Sequence, residues 1–405
     1  MEAHSVQILV QIFVMFAAAK VLGVVGERYK VPSVISEIVA GMVIGPHLLG
    51  LVQVQEWTLA LAELGAIVLL FDVGLDQKLT DLMKVGWTAL LVATLGVVVP
   101  FFLGYGLLVL MDHSQTESIF MGAAMVATSV GITARVLQEL GVLKTVVATV
   151  ILGAAVIDDI LSMIVLAVVS GLSEGVNYVQ IGSVTGLAIG FSLFIVLVGQ
   201  RVMRRVTPHV QRFARGEPYF PLAMVICLGL AVAANKIGIA AIIGAFLAGL
   251  VFSEEELTAG LKTKIHALYE FLVPFFFVAM GMQMDLGVLR HREILLLAGL
   301  ITLLAILGKF VGCGVGAYRM GWRPAVQIGV GMVPRGEVGI IVASIGLGLH
   351  TISDEIYAVV IIMVLVTTLI APPVLKVLFR ERGRAPSPAP AADLPSQPSP
   401  PGELL

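Results

Sequence analysis

Apolar residues run through this chain in blocks of about twenty, cut by short stretches that carry charge, glycine, proline or asparagine. That block length matches the roughly 20 residues a helix needs to cross a bilayer. Thirteen helices are predicted, at 6–26, 33–50, 57–75, 84–111, 117–136, 146–170, 179–205, 219–236, 239–255, 265–284, 293–317, 323–347 and 354–379. The first block lacks the basic flank and small-residue cleavage site of a signal peptide and reads as a membrane helix. Of 405 residues, 58% are hydrophobic and 13% charged. A soluble domain cannot hide that much apolar surface, so the expected fold class is an all-α, multi-pass membrane protein.

The charges that remain are placed unevenly. One set of alternating connections holds Arg28, Lys30, Lys78, Lys84, Arg135, Lys144, the group Arg201, Arg204, Arg205, Arg212 and Arg215, then Lys262, Lys264, Arg319 and Arg323. The opposite set holds Lys236, Arg290 and Arg292. Cytoplasmic loops collect lysine and arginine, so the N-terminus is expected outside and the C-terminus, with Lys376, Arg380, Arg382 and Arg384, in the cytoplasm. A membrane domain over 1–382 is expected, in two halves (6–170 and 219–379) joined by a helix at 179–205. By the charge count the first half starts outside and the second inside, so a repeat between them is inverted, a pattern of secondary transporters. From 383 to 405 the chain is Pro/Ala/Ser-rich and is expected to be a disordered cytoplasmic tail.

Inside this apolar frame a few polar residues stand out. Asp158 and Asp159 lie alone in a stretch from Thr145 to Ser170 that is otherwise free of charge. A carboxylate at the bilayer centre costs about 2.5–3.5 kcal/mol on insertion scales, and two together call for a cation. In the fifth block Thr128-Ser129-Val130-Gly131 interrupts the apolar run, and in the twelfth Pro334-Arg335-Gly336-Glu337 does so more severely. Both helices are predicted to break there, because proline removes a backbone donor and glycine weakens helix propagation. Freed peptide groups survive at that depth only inside protein or along a wet cavity, which makes paired breaks a pointer to a midplane substrate site. Lys309 sits in the eleventh block among Gly308, Gly312 and Gly316, a stripe spaced for close helix approach. Its simplest partner is one of the two aspartates; successive helical residues point about 100° apart, which leaves the other to face an ion path.

These stretches resemble the second cation:proton antiporter family of bacteria, and within it the electrogenic sodium/proton exchangers of the NapA type. The likeness runs from about Val6 to Arg382 and is carried by Thr128 to Leu143, Gly153 to Val168, Leu307 to Phe310 and Met332 to Ala343. The resemblance implies a homodimer in the bacterial inner membrane that exchanges Na⁺ for protons, with Li⁺ as a further cation and no cofactor. It implies a core domain with two crossed discontinuous helices that moves against a dimerisation domain. At matching positions, Asp159 takes sodium and protons alternately, Asp158 pairs with Lys309, Thr128 and Ser129 lie beside the ion, and Arg335 and Glu337 form a buried pair.

Asp72 departs from the family pattern; near the cytoplasmic end of its helix, it is expected to be a solvated interfacial carboxylate. The Kef-type potassium exchangers replace the first aspartate with glutamine and carry a nucleotide-binding domain. Neither feature is read here, which favours sodium, with K⁺/H⁺ exchange on the same fold as the alternative. Structural readings stand beside these: an interhelical polar contact for the aspartates, a fixed salt bridge for Lys309, and mutual neutralisation of Arg335 and Glu337 with the helix ends. His47 and His266 are read as loop or interfacial residues, and Cys227 and Cys313 as packing residues. A net charge of −2 gives no sign of a nucleic-acid partner. No enzymatic chemistry is expected; an intramembrane aspartyl protease would need tyrosine-aspartate and GxGD motifs that are absent. A passive cation channel also suits an acid-lined path, and only coupling to a proton gradient separates it from an exchanger.

Overall fold

The computed structural model describes residues 2–29, 31–174, 178–199, 201–202, 205, 219–253, 258–284 and 292–380. The expected tail (383–405) and most of the basic segment 201–215 lie outside the described residues. Among the described residues the chain forms fifteen α-helices, and each predicted block is helical. The first half holds α1 (Glu2–Arg28), α2 (Ser33–Ile44), α3 (Glu56–Leu75), α4 (Leu79–Leu110), the pair α5 (Gln115–Ala124) and α6 (Val130–Glu139), and α7 (Val146–Glu174). Then comes α8 (Tyr178–Phe194), which runs on as a π-helical turn. The second half holds α9 (Tyr219–Ile237), α10 (Ala241–Phe252), α11 (Thr258–Met282), α12 (Arg292–Gly316), the pair α13 (Trp322–Gly331) and α14 (Glu337–Gly348), and α15 (Asp354–Arg380). The two extra helices arise because the fifth and twelfth blocks are each two half-helices.

Among the described residues, eight helices are long and apolar enough to cross a membrane by length and composition. In contrast, α2 and α10 have twelve residues each and reach only about 18 Å at 1.5 Å per residue. Prolines sit inside α4 (Pro100), α11 (Pro274) and α15 (Pro372 and Pro373), a placement that buried helices tolerate when neighbours satisfy the freed carbonyl.

The helices pack in two groups. Helices α1, α2, α3, α9, α10 and α11 pack against one another, and α4 to α7 pack with α12 to α15. Between the groups, α6 lies against α2 and α3, and α15 touches α2, while α8 rests on α7 of one group and α9 of the other. Small residues let backbones meet, as expected where lipid removes the hydrophobic drive for helix association. The glycine stripe of α12 lies along α4: a Cβ at Gly312 would stand 2.5 Å from the Leu95 carbonyl oxygen, one at Gly316 2.7 Å from Val92 and one at Gly308 3.1 Å from Pro100.

The succession from α1 to α7 recurs from α9 to α15, and so do its closest contacts. In the α2–α11 crossing, a Cβ at Gly41 would meet the Val278 carbonyl oxygen at 2.0 Å and one at Gly281 the Ile38 oxygen at 2.0 Å. In the α10–α3 crossing, Gly249 would meet the Phe71 oxygen at 2.3 Å and Gly74 the Phe246 oxygen at 2.4 Å. Gly41 and Gly249 are each the ninth residue of their helix, and Gly281 and Gly74 each the last but one. A methyl group at any of the four must push backbone from backbone. Gly41→Ala and Gly249→Ala are therefore expected to destabilise the protein by about 1–3 kcal/mol each, read as lowered melting temperatures in detergent. Gly106→Ala, with nothing within 4 Å of its Cβ position, leaves the melting temperature unchanged or raises it slightly.

Candidate ion-binding site

Two interrupted helices meet at their breaks. The chain leaves helical geometry between Ala124 and Val130 and again between Gly331 and Glu337, as the Thr-Ser-Val-Gly and Pro-Arg-Gly-Glu segments require. The backbone N–H of Ser129 donates to the Pro334 carbonyl at 2.8 Å, so each break meets part of the other's hydrogen-bonding need. Gly336 lies against Ser129 so closely that a Cβ there would stand 2.7 Å from the serine Cβ. Thr133 Oγ1 donates to the Gly331 carbonyl at 2.7 Å, and Thr368 Oγ1 on α15 donates to the Arg335 carbonyl at 2.6 Å.

Arg335 is fully buried. Its Nη1 donates to the carbonyls of Val126 (3.1 Å) and Ala127 (2.9 Å), and Nη2 to that of Ala305 on α12 at 3.2 Å. The first two follow the end of α5, where unpaired carbonyls gather negative charge, so the guanidinium neutralises one half-helix from the other break. This agrees with the helix-end reading of Arg335. Glu337 opens α14; its side chain lies outside the described residues, and so does the expected Arg335–Glu337 pair.

The aspartate pair divides its surroundings as helical geometry demands. Lys309 Nζ donates to Asp158 Oδ1 at 2.7 Å, and both side chains are 0% exposed. Asp159, 7% exposed, faces a small cavity lined also by Val130, Val156, Leu70, Ile242 and Phe246. Thr128 and Ser129 are buried. Their hydroxyl oxygens, like Asp158 Oδ2, have no hydrogen-bond partner among the described residues. Oxygens of this kind suit a hard monovalent cation or a proton, and leaving them unmet is costly. A second, wider cavity of about 560 Å³ opens between the two helix groups. It is lined by Glu63, Asn235, Met163, Val338, Phe276 and Ile242, and Ile242 also borders the Asp159 cavity.

Asp72 corrects an expectation. It is 6% exposed and accepts a hydrogen bond from Gln138 Nε2 of α6, so it is a buried interhelical contact rather than a solvated carboxylate. Arg135, expected in a connection, is part of α6. His266 is exposed but lies two turns inside α11, because that helix starts seven residues before the predicted bound; His47 is exposed beyond the end of α2. Cys227 and Cys313 are buried free thiols. Thr133 and Thr368 escaped sequence reasoning: a lone threonine in an apolar helix carries no sign of which carbonyl it will meet.

Touching helix breaks beside buried opposite charges are an arrangement found in secondary transporters. The chain belongs to the sodium/hydrogen exchanger family: the family model described as "Sodium/hydrogen exchanger, transmembrane" matches residues 13–381. Among curated relatives, the high-affinity Na⁺/H⁺ antiporter NhaS3 of Synechocystis is 35% identical, over 92% of this chain and 90% of its own. The Na⁺/H⁺-K⁺ antiporter GerN of Bacillus cereus is 34% identical over 93% and 97%, and a Na⁺/H⁺ antiporter of Enterococcus hirae 32% identical over 87% and 93%. Among solved structures, the sodium proton antiporter MjNhaP1 of Methanocaldococcus jannaschii aligns with a TM-score of 0.66 at 17% identity, covering 93% of this chain and 99% of that one. That likeness speaks for the fold.

The buried pair makes a stability prediction. Removing one partner strands the other charge, at a cost of about 3–5 kcal/mol, whereas replacing both removes the need for compensation. Asp158→Asn and Lys309→Met should each lower the melting temperature more than the double variant does, measured by thermal unfolding in detergent.

Proposed function

We propose that this protein is a secondary active Na⁺/H⁺ antiporter of alternating-access type, electrogenic, in which Na⁺ and protons compete for Asp159. One observation carries the reading: a buried lysine holds Asp158 while the neighbouring Asp159 turns to a cavity beside two helix breaks. Uncompensated charge in a low-dielectric interior is unstable, so the acid site holds either protons or a metal ion. Sodium then enters as protons leave. Thr128 and Ser129 supply neutral oxygens to the cation, and Asp158 joins Asp159 when the ion arrives.

In this mechanism Lys309 sets the charge balance. When Na⁺ draws Asp158 away, the lysine loses the carboxylate that stabilised its charge and gives up its proton, so more than one proton is exchanged per cation. The two helix groups supply the moving parts: the α4–α7 and α12–α15 group is the core that carries the ion, and the α1–α3 and α9–α11 group holds the dimer interface. The recurring order of helices and the paired glycine crossings support an inverted repeat of six helices, with α8 as connector and thirteen membrane segments. The reading places the homodimer in the bacterial inner membrane with its N-terminus outside and its C-terminus in the cytoplasm. Potassium exchange is a second reading, favoured by the Bacillus cereus relative whose name includes K⁺.

The test is exchange in proteoliposomes across Na⁺, Li⁺ and K⁺, with and without a clamped potential. Cation gradients should drive uphill proton movement, and the rate should respond to potential. Asp159→Asn should abolish exchange, and Lys309→Gln should remove the response to potential. Exchange at the parent rate by Asp159→Asn sinks the site assignment, and potential-independent exchange by the parent protein sinks electrogenicity.

A further inference from the structure

Helix α6 carries the ion site at one end and a cluster of polar contacts to the other helix group at its far end. Arg135 on α6 bonds Glu139 one turn along through Nε at 2.9 Å. Its guanidinium also crosses to α2, where Nη2 donates to Ser33 Oγ at 3.2 Å and stands 3.9 Å from Glu37 Oε1. From α11, Tyr269 accepts a hydrogen bond from Arg135 Nη1 and lies under the guanidinium with 4.7 Å to the ring centroid. Ser33 Oγ donates to Glu139, and Gln138 donates to Asp72 of α3. Lys144, beyond α6, lies 3.8 Å from Asp76 at the end of α3. Thus α2, α3 and α11 of one group are tied to the last two turns of a single helix of the other.

Three layers follow one another along α6. At its start lie Thr128 and Ser129 of the ion site. Next comes Gly131, where the absence of a side chain lets Phe276 of α11 and Leu69 of α3 close in; a Cβ there would be 3.0 Å from the phenylalanine ring and 3.6 Å from the leucine. Beyond this apolar seal is the Arg135 cluster, in side chains 15% (Arg135) and 5% (Glu37) exposed. On the far side of the cluster a cavity of about 420 Å³, lined by Glu27, Ser33, Arg135, Glu139 and Lys376, reaches it from the lysine- and arginine-rich end of the molecule. The wide cavity on the opposite side stops at the same Phe276. The site is approached from one end and closed by seal and clasp at the other.

From this layering we infer that Arg135 is the clasp of a gate on α6, and that its contacts to Ser33, Glu37 and Tyr269 must release before the ion site can be reached from the basic end. The inference rests on the alternating-access reading above. The chemistry suits release. Glu139 travels on the same helix as Arg135, so the guanidinium keeps a carboxylate partner when the groups part. Glu37, left behind on α2, gains water from the adjoining cavity rather than standing stripped of its cation. Lys20 and Glu270 also act on Glu37 from α1 and α11, and His266 stacks on Tyr269. The clasp is therefore held by charge-assisted bonds, each strong enough to bias the gate and few enough to break together.

The first experiment uses thiol labelling and needs no transport. In a Cys227→Ala, Cys313→Ala background, Leu69→Cys places a thiol in the seal. A membrane-impermeant maleimide applied from the basic end should label it slowly. Adding Arg135→Gln should raise the labelling rate at least about tenfold, the smallest change expected from losing one charge-assisted hydrogen bond. An unchanged rate overturns the gate. A Ser33→Cys, Glu139→Cys pair covers the case in which Arg135→Gln fails to fold. Oxidative cross-linking should stop exchange and leave Na⁺ binding in detergent intact, with reduction restoring exchange. Undiminished exchange by the cross-linked protein overturns the gate equally. Loss of the exchange reading would show instead in Asp159→Asn, which leaves the labelling result untouched.

Discussion

Charge taken out of water has to be compensated where it stands, and this requirement orders the protein. A carboxylate or ammonium moved into a low-dielectric interior costs several kcal/mol even after relaxation, so each buried ion is met by another charge or by dipoles. Lys309 and Asp158 meet at 2.7 Å with no exposure on either side. Arg335, equally buried, is met by the carbonyls of Val126, Ala127 and Ala305. Asp159 stands next to this compensated pair with a cavity before it. On the proposed reading that acid takes a proton or a cation in turn, and exchange follows from its inability to hold both.

The rest of the fold brings these groups together and keeps them apart from solvent. Helix breaks at 125–129 and 332–336 supply polar backbone at the depth where intact helices offer none, and the Ser129–Pro334 bond holds the two breaks in contact. Glycine contacts bring α12 against α4 and thereby place Lys309 beside Asp158. The same device recurs in the α2–α11 and α10–α3 crossings of the other helix group. One group thus holds Asp158, Asp159, Lys309 and Arg335, and the second packs largely through bare backbone, while α6 carries polar contacts that tie them.

Much of this was legible in the sequence because membrane helices obey strict rules. Length and apolarity gave the blocks, and Thr128-Ser129 and Pro334-Arg335-Gly336 marked the breaks, since few other residues interrupt a helix at that depth. The scarcity of charge pointed Lys309 to one of the two aspartates, and the choice of Asp158 came from the family resemblance. Asp72 was misread because distance from a helix end does not report what packs over it; Gln138, sixty-six residues on, covers it. Arg135 reads as a loop cation for the same reason. A positive charge near a helix end has the same signature whether it meets water or, as here, Glu139, Ser33 and Tyr269.

The central claim is that one set of buried oxygens holds either protons or the metal. Isothermal titration of the purified protein with Na⁺ in buffers of different ionisation enthalpy reads the protons released per ion bound. The account predicts release that grows with the fraction of sites protonated beforehand and disappears with Asp159→Asn. Sodium binding that releases no protons at any pH would contradict it.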